Sequence, residues 1–176
     1  GTEAVRVYAD AKRMLKRLIE TVTLEYPVSH WIATLDADLT FKPELIKTML
    51  LLGQDKNLDL VAGSPYLATA DMSDVPWSRR LPSLMINALY RGLFSLRLTA
   101  YTPILRLYRA TRLHALELTS SGFEINAEIA ARGLKRDWRV GEVPAVLSTR
   151  VSGESKLRRW RELSRHLRLI LRLLSN

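Results

Sequence analysis

Residues His30 to Pro43 read H-W-I-A-T-L-D-A-D-L-T-F-K-P. The apolar run Trp31-Ile32-Ala33-Thr34-Leu35 ends in Asp36-Ala37-Asp38, and Pro43 opens a helical pattern. A short apolar run bounded by such signals reads as a buried strand. Side chains alternate along a strand, so Asp36 and Asp38 project on one side, provided extended geometry lasts through Asp38. Open α/β sheets bind ligands at the carboxyl ends of their strands, which is where this pair falls. Two neighbouring carboxylates repel unless a cation lies between them, and hard cations such as Mg²⁺ prefer carboxylate oxygen. A cation held there can neutralise a diphosphate and help it leave. Asp-x-Asp alone is a weak signal, and a solvated strand end with helix-capping aspartates reads the same way. The surroundings decide.

The chain has 176 residues, 47% hydrophobic and 26% charged, which suits one globular domain with an ample core. It has no Cys, which excludes a disulfide scaffold and any thiolate metal site. No signal peptide is visible, and no apolar run reaches the ~18 residues of a conventional spanning helix. The sequence starts at Gly1, without Met, in a helical pattern, as a fragment or trimmed chain would. A net charge of +9 calls for an anionic partner: nucleic acid, an anionic membrane or a phosphorylated substrate.

From Glu3 to about Glu25, Tyr8, Ala11, Leu15, Leu18 and Val22 recur at helical spacing, which predicts an amphipathic helix ended by Tyr26-Pro27. Pro43 to Leu52 predicts a helix closed by Gly53. Leu58–Ala62 and Ile104–Tyr108 read as strands, and Ala68–Trp77 as a polar loop. Arg79–Leu98 predicts a long helix, apolar around most of its circumference. Gly122–Ala131 predicts a helix with Glu124 and Glu128 on one face, and residues 138–147 two short extended segments. The alternation of strands and helices argues for an α/β fold.

Lys156–Leu174 carries Leu157, Trp160, Leu163, Leu167, Leu171 and Leu174 as one stripe, with six arginines over much of the remainder. Such a helix reads as an interfacial membrane anchor, each Arg near anionic headgroups adding roughly 1 kcal/mol. It reads equally as a core-packed helix with a solvated arginine face. Residues 1–155 are expected to form one, partial domain and 156–176 this basic amphipathic helix.

Further motifs surround the Asp36 stretch. They are D-L-V-A-G-S at 59–64, R-R-L-P-S-L-M-I-N at 79–87, R-L-Y-R at 106–109, G-F-E-I-N-A-E-I at 122–129, G-E-V-P at 141–144 and R-V-S-G-E-S-K-L at 150–157. With L-D-A-D-L at 35–39 this ordered set resembles the family 2 glycosyltransferases of the dolichyl-phosphate mannose synthase and polyprenyl-phosphate glucosyltransferase type. The match runs from about Trp31 to Leu157.

The resemblance implies a GT-A, Rossmann-like fold. It implies transfer of a sugar, mannose or glucose, from a nucleotide-sugar to a polyprenyl phosphate, with inversion and with Mg²⁺ or Mn²⁺. Asp36 and Asp38 would then hold the metal and donor diphosphate, and Arg79 and Ser83 the acceptor phosphate. Asn126 and Glu128 match the family's active-site pair. Arg150, Ser155 and Lys156 match a basic loop that closes over the phosphates. Arg150 joins Asp38, Asn126 and Glu128 in the expected catalytic set. The partners implied are the donor, the lipid and an anionic membrane surface, without nucleic acid, and the location is peripheral at the cytoplasmic membrane face.

The chain departs from the pattern where Thr40 replaces a metal-binding Gln and Pro65 a phosphate-binding Arg. It departs again at Leu98–Ile104, where the family has Asp-x-Thr-Gly-x-Phe-Arg. The family's first strand and turn, which hold the nucleoside base, have no counterpart in these residues, so the expected fold lacks its first strand. A catalytically impaired scaffold of the same fold and a basic nucleic-acid module are the competing readings. The latter has no recognisable motif, and its aromatics are not interleaved with the arginines as base stacking requires.

Overall fold

The computed structural model describes residues 5–10, 30–36, 41–67, 77–146 and 159–175, with the backbone alone for 5–10, 36, 77–80 and 159–161. Five strands form one mixed sheet: β1 (Val5–Asp10), β2 (Trp31–Asp36), β3 (Leu60–Ser64), β4 (Arg106–Arg109) and β5 (Val140–Pro144), in the order β1-β2-β4-β3-β5. β4 runs antiparallel to both its neighbours, while β1 pairs β2 and β5 pairs β3 in parallel. The carboxyl ends of the other four strands therefore share one edge of the sheet. The register aligns Thr34, Arg106, Ala62 and Glu142 in one row across four strands.

Alternation along the strands builds two cores. Trp31, Ala33, Leu35, Val61, Leu105 and Leu107 face one side, where Ile46 and Met49 of α1 (Leu45–Asp55) cover them. Ile32, Leu60, Ala62 and Tyr108 face the other, beneath α2 (Trp77–Leu93), α4 (Ile125–Lys135) and α5 (Arg159–Ser175). A short helix, α3 (Ala110–His114), follows β4 and sends Leu113 into the second core. The three-layer plan is the one a sheet adopts when both faces read apolar.

Several sequence expectations change. The helix predicted from Glu3 is a strand over Val5–Asp10, because β2 offers a parallel partner to the alternating Val5 and Val7; the rest of that prediction, 11–25, lies outside the described residues. Gly53 does not close α1, which runs to Asp55. Its missing side chain instead admits Trp31, whose ring would lie 2.8 Å from an added Cβ. α2 starts at Trp77 and stops at Leu93, short of Leu98. One strand, β5, stands where two extended segments were expected.

α5 packs only in part through the face its leucine spacing suggested: Leu163 of that stripe lies against the core. His166, Leu169, Ile170 and Leu173 are buried, whereas Leu167, Leu171 and Leu174 of the stripe are exposed. The helix thus has a core face, an exposed apolar face and an arginine face. Both readings of this helix had assigned the stripe a single job; the helix splits its apolar residues between two. Lys135 Nζ donates to the Leu173 carbonyl at 2.5 Å, tying the end of α5 to α4.

At the edge opposite the carboxyl ends, buried Asp59 gathers Arg112 (3.2 Å), Arg109 (3.7 Å) and Arg139 (4.0 Å), and accepts the Arg139 backbone N–H at 2.9 Å. Arg109 also stacks 4.7 Å over the Trp31 ring. This group clamps the starts of β3 and β5 to the end of β4.

Candidate functional site

The carboxyl edge of the sheet places Asp36 at the last position of β2 and Ser64 at the last of β3. Ile32, earlier on the same strand, looks toward α2, α4 and α5. The other metal candidate, Asp38, lies outside the described residues, as do Arg150, Ser155 and Lys156. Among the described residues no group of three His, Asp or Glu side chains is placed to hold a metal ion.

Next to Ser64 the chain turns into a cluster of neutral hydrogen-bonding groups. Ser64 Oγ lies 2.6 Å from Thr99 Oγ1 and accepts the Tyr66 N–H at 3.1 Å. Tyr66 then reaches α2, its hydroxyl 2.5 Å from Ser83 Oγ. Asn87, one turn on, donates to the Ser83 carbonyl (2.7 Å) and Thr102 Oγ1 (3.0 Å), and accepts from the backbone N–H groups of Tyr101 (2.5 Å) and Thr102 (3.2 Å). These bonds draw α2 against the carboxyl end of β3, so Ser83 faces the same edge as Asp36. Arg79 sits one turn before Ser83 on that helix; its side chain is not described. Burial raises the Tyr66 pKa above its ordinary value against its hydrogen bonds, keeping the phenol neutral.

The loop behind this cluster is held from the sheet. Glu142 accepts from Thr99 N and Oγ1 (each 2.8 Å) and from Ala100 N (3.0 Å). Its row neighbour Arg106 is fully buried and donates to the Ala100 (2.6 Å) and Pro103 (3.0 Å) carbonyls, leaving Nη1 without a partner. Burial lowers the Arg106 pKa from its ordinary value, with Tyr108 and Glu142 pulling the other way.

Glu128 and Asn126 stand on α4. Glu128 is buried and accepts from Thr119 N and Oγ1 (3.1 and 2.9 Å), Ser120 N (2.7 Å) and Arg132 Nε (2.8 Å). Burial alone would raise its pKa, but the Ser120 and Thr119 donors together outweigh burial and hold the carboxyl low. Its oxygens are committed to fixing residues 119–120. Asn126 is buried too, with Oδ1 unpartnered. Tyr66, Asn87, Thr99, Thr102, Arg106 and Glu142 had no predicted role. The motifs 79–87, 106–109 and 141–144 contain three of them, but only the fold shows what they touch.

No family model matches the chain. It is 32% identical over 129 residues to an undecaprenyl-phosphate mannosyltransferase of Micrococcus luteus, covering 72% of this chain and 52% of that protein. The chain is a relative of the family 2 glycosyltransferases of the polyprenyl-phosphate type. Two more of these transferases are similar. A polyprenol monophosphomannose synthase of Mycolicibacterium smegmatis is 29% identical over 129 residues, covering 72% and 48% of the two chains. A dodecaprenyl-phosphate galacturonate synthase of Rhizobium johnstonii is 31% identical over 146 residues, covering 82% and 40%. The chain therefore spans about half the length of the transferases it matches. The fold is GT-A: glucosyl-3-phosphoglycerate synthase of Mycobacterium tuberculosis, solved with Mn²⁺, UDP and glucosyl-3-phosphoglycerate, superposes with a TM-score of 0.58 at 13% identity, over 89% of this chain and 52% of that one.

Proposed function

We propose that this chain moves a hexose from a nucleotide-sugar to a polyprenyl phosphate, with inversion and with a divalent cation. Mannose is the first candidate, as in two of the relatives' names, and glucose the second. The observation that carries the reading is the contact of Tyr66 with Ser83, which brings the α2 segment expected to seat an acceptor phosphate to the edge where Asp36 ends β2.

A phosphate monoester has its second pKa near 6, so the acceptor oxygen is mostly anionic at neutral pH. It needs orientation and charge compensation more than a general base. Arg79 and Ser83 would seat that phosphate, and Arg150, Ser155 and Lys156 would close over it. The acceptor oxygen attacks the anomeric carbon from the face opposite the departing nucleoside diphosphate. Asp36 and Asp38 would hold Mg²⁺ or Mn²⁺, whose chemistry is to neutralise that leaving diphosphate. Glu128 contributes by fixing the 119–120 segment and Asn126 by its open oxygen.

The lipid acceptor requires a place at the bilayer surface. Among the described residues no helix is long and apolar enough to cross a membrane. Leu81, Met85, Leu89 and Leu93 are nonetheless exposed on α2, with Leu167, Leu171 and Leu174 on α5. Exposed apolar faces of this kind beside arginines suit peripheral binding to an anionic surface, here at the cytoplasmic face. Incubating the protein with a panel of nucleotide-sugars and undecaprenyl phosphate, with and without Mg²⁺ or Mn²⁺, tests the proposal. A glycolipid formed only with metal supports it, and no product from any donor overturns it.

A further inference from the structure

Residues 99–102 form neither helix nor strand, so their backbone groups need partners from elsewhere. All four N–H groups end on two side chains. Thr99 N and Ala100 N donate to the Glu142 carboxylate at 2.8 and 3.0 Å, and Tyr101 N and Thr102 N to the Asn87 oxygen at 2.5 and 3.2 Å. Arg106 donates to the carbonyls of Ala100 (2.6 Å) and Pro103 (3.0 Å). None of these directions is open to choice, because backbone N–H groups and a guanidinium only donate.

The partners stand on two sides of the segment. From the sheet come Glu142 on β5, Arg106 on β4 and Ser64 at the end of β3, whose Oγ lies 2.6 Å from Thr99 Oγ1. From α2 comes Asn87, which also donates to Thr102 Oγ1 at 3.0 Å. Tyr90, nearly one turn on, stacks on the Tyr101 ring with centroids 5.3 Å apart. The Tyr101 hydroxyl donates to the Ser95 carbonyl (2.9 Å) just past the helix. Residues 99–102 are therefore a splint, held by three strands on one side and gripping α2 on the other. They lie within Leu98–Ile104, where the sequence departs from the family pattern.

A carboxylate only accepts, so Glu142 can face two successive N–H groups and the Thr99 hydroxyl at once. A glutamine there keeps one accepting oxygen and turns an NH2 group toward a backbone donor. We infer that Glu142 is a positioning residue: acting through 99–102 and Asn87, it sets where α2 lies over the carboxyl edge of the sheet. Ser83, one turn before Asn87, takes its place from that setting. The further step, that Ser83 seats a polyprenyl phosphate, rests on the function proposed above.

Two measurements on Glu142→Gln test this. The first is amide hydrogen exchange, which needs no substrate. Exchange is expected to quicken about tenfold in 99–102 and in α2 alike, the worth of one hydrogen bond to a charged group. α1, on the other face of the sheet, is expected to exchange like wild type. Quickening confined to 99–102, or spread equally to α1, overturns the positioning role.

The second is steady-state transfer at equal folded concentration, with undecaprenyl phosphate and a nucleotide-sugar that wild type uses. The acceptor KM is expected to rise about tenfold while the donor KM holds. A residue that served stability alone would move neither KM, and that result overturns the inference. Thermal unfolding checks the variant. Thr99→Val, which loses the hydroxyl shared between Glu142 and Ser64, carries both measurements if Glu142→Gln does not fold; its shifts are expected to be smaller and in the same direction. A wild type that makes no glycolipid overturns the proposed function and leaves Glu142 to be decided by exchange. An active wild type whose α2 ignores Glu142 overturns the positioning role alone.

Discussion

Replacing Met85 on α2 and Leu171 on α5 with glutamate separates membrane docking from folding. Their side chains are 64% and 67% exposed, so the fold gains little from them. Fully burying a Leu or Met side chain is worth about 1.5–3 kcal/mol, and about two-thirds of that, ~1–2 kcal/mol, is still available from each when it enters the acyl boundary. Two new carboxylates facing anionic headgroups add a penalty of ~1 kcal/mol each. Together the double variant is expected to partition ~4–6 kcal/mol less favourably, about a thousandfold or more. Sedimentation with phosphatidylglycerol vesicles at low salt reads this directly, with thermal unfolding as the control. Exposed substitutions away from packing shift stability by only about 0.5 kcal/mol, so the melting temperature should hold. A double variant that pellets like wild type, with an unchanged melt, would refute the assignment of these faces to the bilayer.

Asp59→Asn should lower stability by about 1–3 kcal/mol in denaturant melts, because a buried carboxylate serving a backbone N–H and three guanidinium groups is hard to replace. The arginines are partly exposed, which keeps the loss at the modest end. The site lies at the other edge, so turnover by the folded fraction should be unchanged. His166 predicts an acid-dependent loss. Burial lowers its pKa to about 4, against ~6.5 in the unfolded chain. Between these values the unfolded state binds more protons, so stability falls as pH drops below ~6.5, the full loss being on the order of 3 kcal/mol near pH ~4. His166→Gln should flatten this dependence. The comparison is best read above pH ~5, because Glu128, whose carboxyl is held low, adds its own loss below the carboxylate range. Identical pH profiles for the two proteins would refute the assignment.

The Asp36 strand and the α2 segment around Ser83 were legible because each needs only local pattern: an apolar run with a polar end, and a long helical stretch. β1 was not, since residues 5–10 take their conformation from pairing with β2, and Tyr8 also fits a helical period through Ala11 and Leu15. On α5, leucine spacing picked a stripe that is exposed from Leu167 on, because the core stripe includes His166, which breaks an apolar pattern while bonding Tyr90 at 3.0 Å inside the core. The polar cluster was hidden for another reason. Thr99 meets Ser64 across 35 residues and Glu142 across 43, and no sequence period connects such partners.

The central claim is that sugar is transferred to lipid at the carboxyl edge where Asp36 ends β2, with Asp38 serving the same site. Metal-dependent formation of polyprenyl-phosphate sugar by wild type and by Asp38→Asn, compared at equal folded concentration, tests it most directly. The account predicts that Asp38→Asn folds like wild type and loses metal-dependent transfer. Turnover by Asp38→Asn equal to that of wild type would contradict it.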